Sequence, residues 1–158
     1  MDSINDVPVL IRREIEARLA TPLIRAFARE FGEERTYAIV REVVASAARA
    51  AGGAMKEAVG GNTLGHLKAG LAAMNSGDSL RSEFTQSTPA CLKMNVTSCK
   101  YADMYRSLGL EDLGSMLSCE RDASLFEGFN SSIRFTRTKT ILNGEDCCDF
   151  CMRLQNEE

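Results

Sequence analysis

Cysteine is the residue type in this sequence with the widest chemistry, since a thiol can pack in a core, bind a metal ion or act as a nucleophile. The six cysteines all lie in the second half of the chain, at positions 91, 99, 119, 147, 148 and 151. The N-terminus has acidic residues before any apolar run and lacks the basic start of a signal peptide, so we expect a cytoplasmic protein. Cytoplasmic thiols stay reduced, which favours those three roles over disulfide bonds.

Three of these cysteines and one carboxylate are placed so that separate elements could bring them to one point. Cys99 stands near the start of a predicted helix, where the first-turn amides and the helix dipole favour a thiolate. Cys119 and Asp122 are three residues apart in the next predicted helix, hence on one face. Cys148 lies on the core-facing side of a predicted strand. Such a set could bind Zn²⁺ and leave one position open for water, the alternative being that each cysteine is a small buried residue.

Cys148 and Cys151 have the C-x-x-C spacing of zinc knuckles and redox motifs. That function needs both sulfur atoms to turn toward one point. In a strand, side chains three residues apart point to opposite faces of the sheet. We therefore predict that these two thiols do not chelate one ion.

His66 is the only histidine of the chain, so a mechanism that needs two imidazole groups in one chain is excluded. It could be a metal ligand or a proton shuttle, or a partly exposed side chain beside Gly65. The glycine-rich stretch 60–65 lacks the lysine context of a phosphate-binding loop and is predicted to break a helix.

Three cations, Arg134, Arg137 and Lys139, alternate with threonines in a predicted strand. Alternation places Arg137 and Lys139 on the face opposite Arg134. A guanidinium group on that face could hold a substrate carboxylate through two hydrogen bonds. The alternative is a solvated sheet face or a charged edge that prevents aggregation.

Apolar residues recur every three or four positions through the first half of the chain, which predicts helices over 7–31, 33–59 and 64–74. Thr21-Pro22 interrupts the first helix, and we expect a kink or a restart there. Gly52-Gly53 weakens the end of the second helix, and the glycines at 60 and 61 stop it. Asn75-Ser76-Gly77 closes the third helix.

The second half combines strands with helices. A strand is predicted over 91–97, helices over 98–108 and 111–127, a strand over 133–142 and a returning strand over 147–154. Ser98 is the predicted cap of the first of these helices, and Gly109 and Gly128 end the two helices. Asn143-Gly144 predicts a two-residue hairpin turn.

These elements predict an α+β fold, with N-terminal helices packed on a small antiparallel sheet that ends in a C-terminal β-hairpin. Residues 1–158 are predicted to form a single domain. Within it, residues 1–77 are mainly helical, and residues 90–154 form the α+β region that carries the candidate site.

Composition excludes several classes of function. The chain is 44% hydrophobic and 26% charged, as expected of a globular protein. Its formal net charge of −3 offers no basic field for nucleic acid. It contains no run of about 18 apolar residues, so we predict no membrane span. The long amphipathic N-terminal helix leads us to expect a homo-oligomer.

Six short segments of the second half stand out in combination, at 95–105, 108–110, 117–122, 127–130, 137–140 and 144–150. Together they resemble the L-2-amino-thiazoline-4-carboxylic acid hydrolase family of bacterial proteins. The N-terminal helices match that family in general character. The ending, a threonine-rich strand, a glycine turn and Cys-Asp-Phe at 148–150, is also loosely similar to the ligand-binding domain related to four-vinyl reductases.

The first resemblance implies a hydrolase that opens a small five-membered heterocyclic amidine or thioamide acid at a non-peptide carbon–nitrogen bond. This reaction needs an activated water, a group that stabilises the tetrahedral oxyanion and an acid for the leaving nitrogen. The resemblance then implies Asp122 and Cys99 as catalytic residues. It implies Arg137, Tyr101 and Thr140 as residues that bind this small-molecule substrate.

Two versions of the chemistry remain open at this point. In one, Cys119, Cys148 and His66 hold a metal ion, for which zinc is the natural choice, and the metal activates the water. In the other, a thiolate of Cys99 or Cys119 is the nucleophile and no metal takes part. The remaining cysteines, at positions 91, 147 and 151, have no place in the family pattern and are interpreted as incidental.

The second resemblance implies a different class of protein, a small-molecule sensor or binding module without catalysis. Apolar residues of the second half could line a lipophilic pocket for its ligand, namely Phe126, Phe129, Phe135 and Phe150.

Overall fold

Three long helices come first in the chain, followed by strands with short helices between them. The computed structural model describes residues 7–75 and 78–155. The helices are α1 (Val9–Phe31), α2 (Glu33–Val59), α3 (Leu64–Met74), α4 (Lys100–Ser107), α5 (Glu111–Gly114) and α6 (Arg121–Phe129). The strands are β1 (Leu80–Ser87), β2 (Cys91–Cys99), β3 (Ile133–Thr136) and β4 (Cys148–Leu154). A π-helical turn, Ser115–Cys119, lies between α5 and α6, and a 3₁₀ turn, Ile141–Asn143, precedes β4.

The four strands form one antiparallel sheet in the order β1-β2-β4-β3, so β4 lies between β2 and β3. The register places Met94 of β2 opposite Phe150 of β4, and Phe135 of β3 opposite Met152 of β4. Alternate residues of the two central strands face the core, which is the period predicted from the sequence. The predicted α+β fold with its C-terminal hairpin is confirmed.

Helices α3 and α6 and the end of α2 cover one face of the sheet. Their main apolar cluster consists of Leu64, Leu67, Leu71, Leu92, Met94, Val96, Phe126, Phe129, Ile133, Cys148 and Met152. A second cluster lies beside it and joins α1 to α4 and to the 3₁₀ turn, through residues such as Ala17, Tyr105 and Leu142. Cys99 packs against both clusters, so the end of β2 marks the border between them.

Helices α2 and α6 cross in close contact at two glycines. A Cβ atom at Gly52 would lie 2.0 Å from the carbonyl oxygen of Leu125, and one at Gly128 would lie 2.1 Å from that of Arg49. The prediction that Gly128 ends its helix is wrong, because α6 continues to Phe129. Both glycines are needed because a side chain at either position would keep the two backbones apart. The sequence of one helix alone does not reveal this close contact.

Helix α1 continues through Pro22, so of the two outcomes predicted at Thr21-Pro22, a kink or a restart, the restart does not occur. Pro22 is exposed, and water can therefore hydrate the carbonyl group that loses its hydrogen-bond donor. Helix α2 has the predicted bounds and ends at Gly60 with φ +72°. Asn75 follows α3 as predicted, whereas Ser76 and Gly77 lie outside the described residues. Within 7–75 and 78–155, no helix is both long and apolar enough to cross a membrane.

The predicted strand over 133–142 is only four residues long in the structure. Beyond Thr136 the backbone leaves the sheet because Asp149 accepts the N–H groups of Thr138 and Lys139, which a partner strand would otherwise bind. Asn143-Gly144 is not a two-residue hairpin turn. Asn143 closes the 3₁₀ turn and Gly144 follows it with φ +96°.

Strand β1 was not predicted from the sequence. Leu80 and Phe84 are its only large apolar residues, and polar side chains fill most of its other positions. β1 is an edge strand, held by its pairing with β2. The alternation that reveals a half-buried strand is therefore weak in its sequence.

Candidate functional site: a thiol-lined cleft and the ion pair behind it

A small cleft lies where β2, α4, the π-helical turn, the 3₁₀ turn and β4 meet. Its lining residues are Cys99, Tyr101, Ala102, Tyr105, Ser118, Cys119, Thr140, Ile141, Leu142 and Cys148. The cavity of ≈ 20 Å³ has room for about one water molecule. The tertiary structure thus brings together five of the residues singled out in the sequence, Cys99, Tyr101, Cys119, Thr140 and Cys148.

Cys99 ends β2 and caps α4. Its Sγ accepts a hydrogen bond from the N–H of Ala102 at 3.4 Å, so the cap is Cys99 and not Ser98 as predicted. Burial raises the pKa of the Cys99 thiol, and the Ala102 N–H partly opposes this rise. A first-turn amide aimed at the sulfur stabilises a thiolate at this position more than burial alone would allow.

The pKa values of the two other thiols of the cleft, Cys119 and Cys148, are also raised. Burial, followed by the negative charge of Asp122, raises the pKa of Cys119 to about 12. Cys148 Sγ accepts a hydrogen bond from the Ile141 N–H at 3.3 Å, and burial raises its pKa. Both side chains are therefore neutral thiols near pH 7.

Asp122 and Arg137 form an ion pair directly behind Cys119. Arg137 Nη1 lies 2.5 Å from Asp122 Oδ2, and Nη2 donates to the carbonyl oxygen of Cys119 at 3.2 Å. The side chains are 14% (Arg137) and 29% (Asp122) exposed. Burial raises the pKa of Asp122 to about 6, although the charge of Arg137 acts in the opposite direction. A carboxylic acid with this pKa can take up and release a proton near neutral pH.

Arg137 is held from several sides. Its guanidinium carbon lies 5.8 Å from the ring centroid of Phe135 and 5.5 Å from that of Phe150. These contacts, together with Asp122 and the Cys119 carbonyl, leave Arg137 engaged within the protein rather than lining the cleft. In this structure it positions Asp122 and the π-helical turn.

The segment Cys148-Asp149-Phe150 anchors the loop that leads into the 3₁₀ turn. Asp149 accepts hydrogen bonds from the Thr138 N–H (2.8 Å), the Thr138 hydroxyl (2.6 Å) and the Lys139 N–H (2.6 Å). Burial alone would raise the pKa of Asp149, but these hydrogen bonds outweigh it and lower the pKa. Thr140 reaches the cleft because the residues on both sides of it are anchored to this segment.

Of the three predicted zinc ligands, Cys119 and Cys148 both line the cleft, whereas His66 lies elsewhere. His66 belongs to α3, where its Nδ1 lies 2.7 Å from Thr63 Oγ1, and it does not line the cleft. Within residues 7–75 and 78–155, no group of three or more His, Cys, Asp or Glu side chains is arranged to hold a metal ion. Cys148 and Cys151 lie three apart in strand β4, as the argument against a chelating C-x-x-C pair required.

Three arginines near the cleft were not found by sequence reasoning. Arg12 and Arg13 of α1 act electrostatically on Tyr101, and Arg13 and Arg121 act on Tyr105. Burial raises the pKa of Tyr105 to about 12 against these positive charges. In the sequence, Arg12-Arg13 has the pattern of an ordinary solvated helix face, and only the packing of α1 beside α4 reveals its place.

The sequence model that describes L-2-amino-thiazoline-4-carboxylic acid hydrolases matches residues 12–152, from the first of these arginines to the middle of β4. The chain belongs to this hydrolase family. The resemblance seen in the second half of the sequence thus extends over the N-terminal helices as well. No curated protein matches the chain.

Two solved structures share the fold of this family member. One is the phenol-responsive sensory domain of the transcription activator PoxR with phenol, at 11% identity and a TM-score of 0.54, covering 84% of this chain and 71% of that one. The other is trafficking protein particle complex subunit 3 from Naegleria fowleri, covalently bound to palmitic acid, at 12% identity and a TM-score of 0.51. That match covers 92% of this chain and 96% of the other. At such identities the likeness concerns the fold.

Proposed function

We propose that this family member adds water to the amidine carbon of a small five-membered cyclic amidine or thioamide acid and so opens the ring. The observation that carries the proposal is the convergence of Cys99, Cys119 and Cys148 on one cleft with Tyr101 and Thr140. Thiols are the strongest nucleophiles among neutral side chains, and the reaction named by the family requires attack on one carbon.

Cys99 is the nucleophile in this proposal. Cys99 and Cys148 each accept a hydrogen bond from a backbone N–H, but the donor to Cys99 belongs to the first turn of the α-helix α4, whose dipole also stabilises the sulfur anion. As the Cys99 sulfur adds to the amidine carbon, the thiol proton passes to the substrate, one ring bond breaks, and the released ring atom keeps that proton. Water then displaces the Cys99 sulfur, so that one water is consumed and the thiol is regenerated. This is the metal-free version of the chemistry. It is supported by the arrangement of the His, Cys, Asp and Glu side chains in residues 7–75 and 78–155, no three of which are placed to hold one metal ion.

Asp122 supplies and removes protons next to the cleft. It does not line the cavity, but its charge acts on Cys119, which does. With a pKa of about 6, it exchanges protons with the cleft through a water beside Cys119. The resting cleft has room for about one water molecule, so the ring can bind only as the cleft widens.

The bond that breaks is decided by the leaving group. The amidine carbon of a thiazoline ring is bonded to sulfur as well as to nitrogen, so the tetrahedral adduct can collapse through either bond. The resemblance implied the carbon–nitrogen bond. A thiolate of low pKa leaves more readily, which favours the carbon–sulfur bond. An assay of free thiol released per turnover distinguishes the two, because only carbon–sulfur cleavage releases a thiol from the substrate.

The test uses L-2-amino-thiazoline-4-carboxylate with the purified protein and single variants. Cys99→Ala is expected to abolish ring opening, and mass spectrometry of the wild type quenched during turnover should find an adduct on Cys99. Cys147→Ala is the matched control, since Cys147 lies just before β4 and does not line the cleft. Full turnover by Cys99→Ala, or no turnover by the wild type, would contradict the proposal.

A second candidate function is favoured by the neutral lining of the cleft. Its thiols and tyrosines are protonated near pH 7, which suits an apolar ligand as well as a charged one. The two solved structures of similar fold carry phenol and palmitic acid. If the purified protein releases a stoichiometric apolar molecule on denaturation and does not open the ring, the chain is a binding module.

A further inference from the structure

Arginines from two helices act electrostatically on the tyrosines of the cleft. Tyr101 and Tyr105 lie one turn apart on α4 and both line the cavity. Arg12 and Arg13 come from α1, which packs on α4 through the cluster that contains Ala17 and Tyr105. Arg121 begins α6, two residues after Cys119, which ends the π-helical turn.

These three cations share only one ion pair within the described residues, although the charges of Glu16 and Asp122 also act on Arg121. Arg13 pairs with Glu16 at 2.5 Å, whereas Arg12 and Arg121 form no ion pair within the described residues 7–75 and 78–155. Arg12 Nε is buried in this structure without a hydrogen-bond partner. Burial and the like charge of Arg13 lower the pKa of Arg121. Partly buried guanidinium groups in this situation are stabilised by an anion that supplies the missing hydrogen bonds.

We propose that Arg12 and Arg121 form an anion site at the edge of the cleft that binds the carboxylate of the substrate. This assignment rests on the proposed function and names the group that orients the substrate. Arg137, the residue first expected to hold the carboxylate, is already engaged by Asp122 and by the carbonyl of Cys119. A carboxylate held by Arg12 and Arg121 leaves the amidine end of the ring directed toward Cys99.

The experiment measures binding and turnover separately. Binding of L-2-amino-thiazoline-4-carboxylate and of its uncharged carboxamide is measured by calorimetry with the Cys99→Ala protein, which holds the ligand without turnover. Arg12→Gln and Arg121→Gln are expected to weaken binding of the acid at least tenfold and to leave binding of the carboxamide unchanged. Arg25→Gln, which changes an arginine of α1 that pairs with Asp112 on the surface, is the control and should bind both compounds like the parent.

The outcomes distinguish this site from the proposed function. If the arginine variants bind the acid as well as the parent, or lose acid and carboxamide equally, the anion site is wrong whatever the turnover. If the parent binds the acid through these arginines and the wild type does not open the ring, the anion site stands and the proposed reaction fails. Arg12→Lys and Arg121→Lys, which keep the charge, should recover some of the affinity and so guard against a variant that does not fold.

A second and independent observation concerns a stripe of exposed apolar residues along α1 and α2. They are 45–66% exposed and recur at four-residue steps: Ile11, Ile15, Leu19, Leu23, Phe27 and Phe31 on α1, with Ile39 and Val43 on α2. Helix α1 alone has 23 residues, which makes it about 34 Å long. The stripe therefore runs along most of α1 and along the first part of α2.

The area of this stripe matches a dimer interface. Eight large apolar side chains that are about half exposed present on the order of 700 Å² of apolar surface, close to the area of about 800 Å² per partner in stable complexes. Monomeric proteins rarely expose a contiguous apolar patch of that size. A stripe left in water would reduce solubility.

The two ends of the stripe differ in shape in a complementary way. The C-terminal end of α1 and the start of α2 enclose a groove of ≈ 410 Å³ lined by Phe27, Phe31, Arg35, Thr36, Ile39 and Val40. At the other end, Ile11, Ile15 and Leu19 project from α1. Two copies of α1 packed antiparallel about a two-fold axis would place the projecting end of each against the groove of the other.

The charges beside the stripe favour protein over lipid. Arg18 pairs with Glu14, Arg25 with Asp112 and Arg41 with Glu120, so these positive charges are neutralised within the chain. Arg29 and Arg35 form no ion pair within the described residues, but the acidic residues Glu30, Glu33 and Glu34 lie next to them along the chain. An amphipathic helix that binds anionic membranes carries free lysines and arginines along its polar face. We infer that a second copy of this chain covers the stripe through an antiparallel α1–α1 contact.

Sedimentation of the purified full chain tests this inference. The wild type is expected to be a dimer, and Leu19→Glu and Phe27→Glu are expected to be monomers with unchanged helix content by circular dichroism. Met74→Glu changes an exposed apolar residue outside the stripe and should remain a dimer. A monomeric wild type, a dimeric Leu19→Glu protein, or binding of the wild type to phosphatidylserine vesicles through the stripe would overturn the inference.

Discussion

Arg137 donates a hydrogen bond from Nη1 to Oδ2 of Asp122 across 2.5 Å, which ties the loop after β3 to the first turn of α6. The second donation of Arg137, to the carbonyl oxygen of Cys119, extends this tie to the cleft wall. One guanidinium group thus fixes the carboxylate and the π-helical turn at the same time. The two residues were expected to serve as an acid–base group and a substrate clamp, and the structure shows that they are partners.

The first prediction concerns the stability of this pair. Arg137→Gln leaves the carboxylate of Asp122 without its partner and should lower the free energy of unfolding by about 1–3 kcal/mol in urea denaturation at pH 7.5. Adding Asp122→Asn to Arg137→Gln should recover some of the loss, because no buried charge remains. Lys139→Gln removes an exposed pair with Asp146 and should change little. If Arg137→Gln and Lys139→Gln lowered the free energy of unfolding equally, the buried pair would stabilise the fold no more than the exposed pair does.

The second prediction is a pH dependence with a defined sign. The pKa of Asp122 is raised from 3.8 to about 6 in the folded protein, so between these values the folded state holds a proton that the unfolded state has lost. Stability therefore falls as pH rises from about 4 to about 6 and levels off above. Compared with Asp122→Asn, the melting temperature of the wild type should show this decline. If the difference in melting temperature between the two proteins did not change between about pH 4 and about pH 6, the raised pKa of Asp122 would be wrong.

The third prediction concerns the crossing of α2 and α6. Gly52→Ala and Gly128→Ala each force a methyl group into a backbone carbonyl and should destabilise the fold by several kcal/mol, seen as loss of soluble protein or of cooperative unfolding. Gly53→Ala is the matched control, since its Cβ would meet its nearest neighbour only at 4.0 Å. The free energy of unfolding of the Gly53→Ala protein should rise by about 0.5–1 kcal/mol, because alanine has a better helix propensity than glycine. A mild effect at Gly128 would mean that the helices can separate at little cost.

The fourth prediction concerns which thiol reacts first with iodoacetamide at pH 7.5. Burial raises the pKa of Cys151, but hydrogen bonds involving Arg153, Thr136 and Cys91 outweigh it and lower the pKa overall. Cys147 is similarly half-buried, yet burial and the charge of Asp146 raise its pKa. Peptide mapping should find Cys151 alkylated several-fold faster than Cys147, because the thiolate is the reactive form. Faster reaction at Cys147 would show that exposure outweighs ionisation here.

Cys151 was interpreted from the sequence as incidental. Its lowered pKa comes from its neighbours across the sheet. Lys93 of β2 and Thr136 of β3 lie opposite Cys151 in register, and Arg153 follows on the same face of β4. Strand pairing decides these neighbours. The order β1-β2-β4-β3 is not written in the local sequence of any strand, so the electrostatic surroundings of this thiol were not predictable.

Much of the local structure follows from periodicity along the chain. The bounds of α2, the stop at Gly60 and the alternation of Leu92, Met94 and Val96 were all predicted, because each depends on residues within a few positions of one another. Four residues were proposed to converge from the faces of their elements. Cys99, Cys119 and Cys148 line one cleft, whereas Asp122 lies behind Cys119 and does not line it. The place of Thr140 in it depends on Asp149, whose backbone contacts no pattern reveals.

What the sequence by itself determined is therefore the type of most elements, the fold class and the family. The tertiary structure alone decided how elements distant in the chain meet: Gly52 against α6, Arg137 on Asp122, and the arginines of α1 and α6 beside Tyr101 and Tyr105. The physical reason is that periodicity reports which face of an element is buried, whereas the partner of that face depends on packing over the whole core. The chemistry of this site, its pKa values and its ion pairs, belongs to that second kind of information.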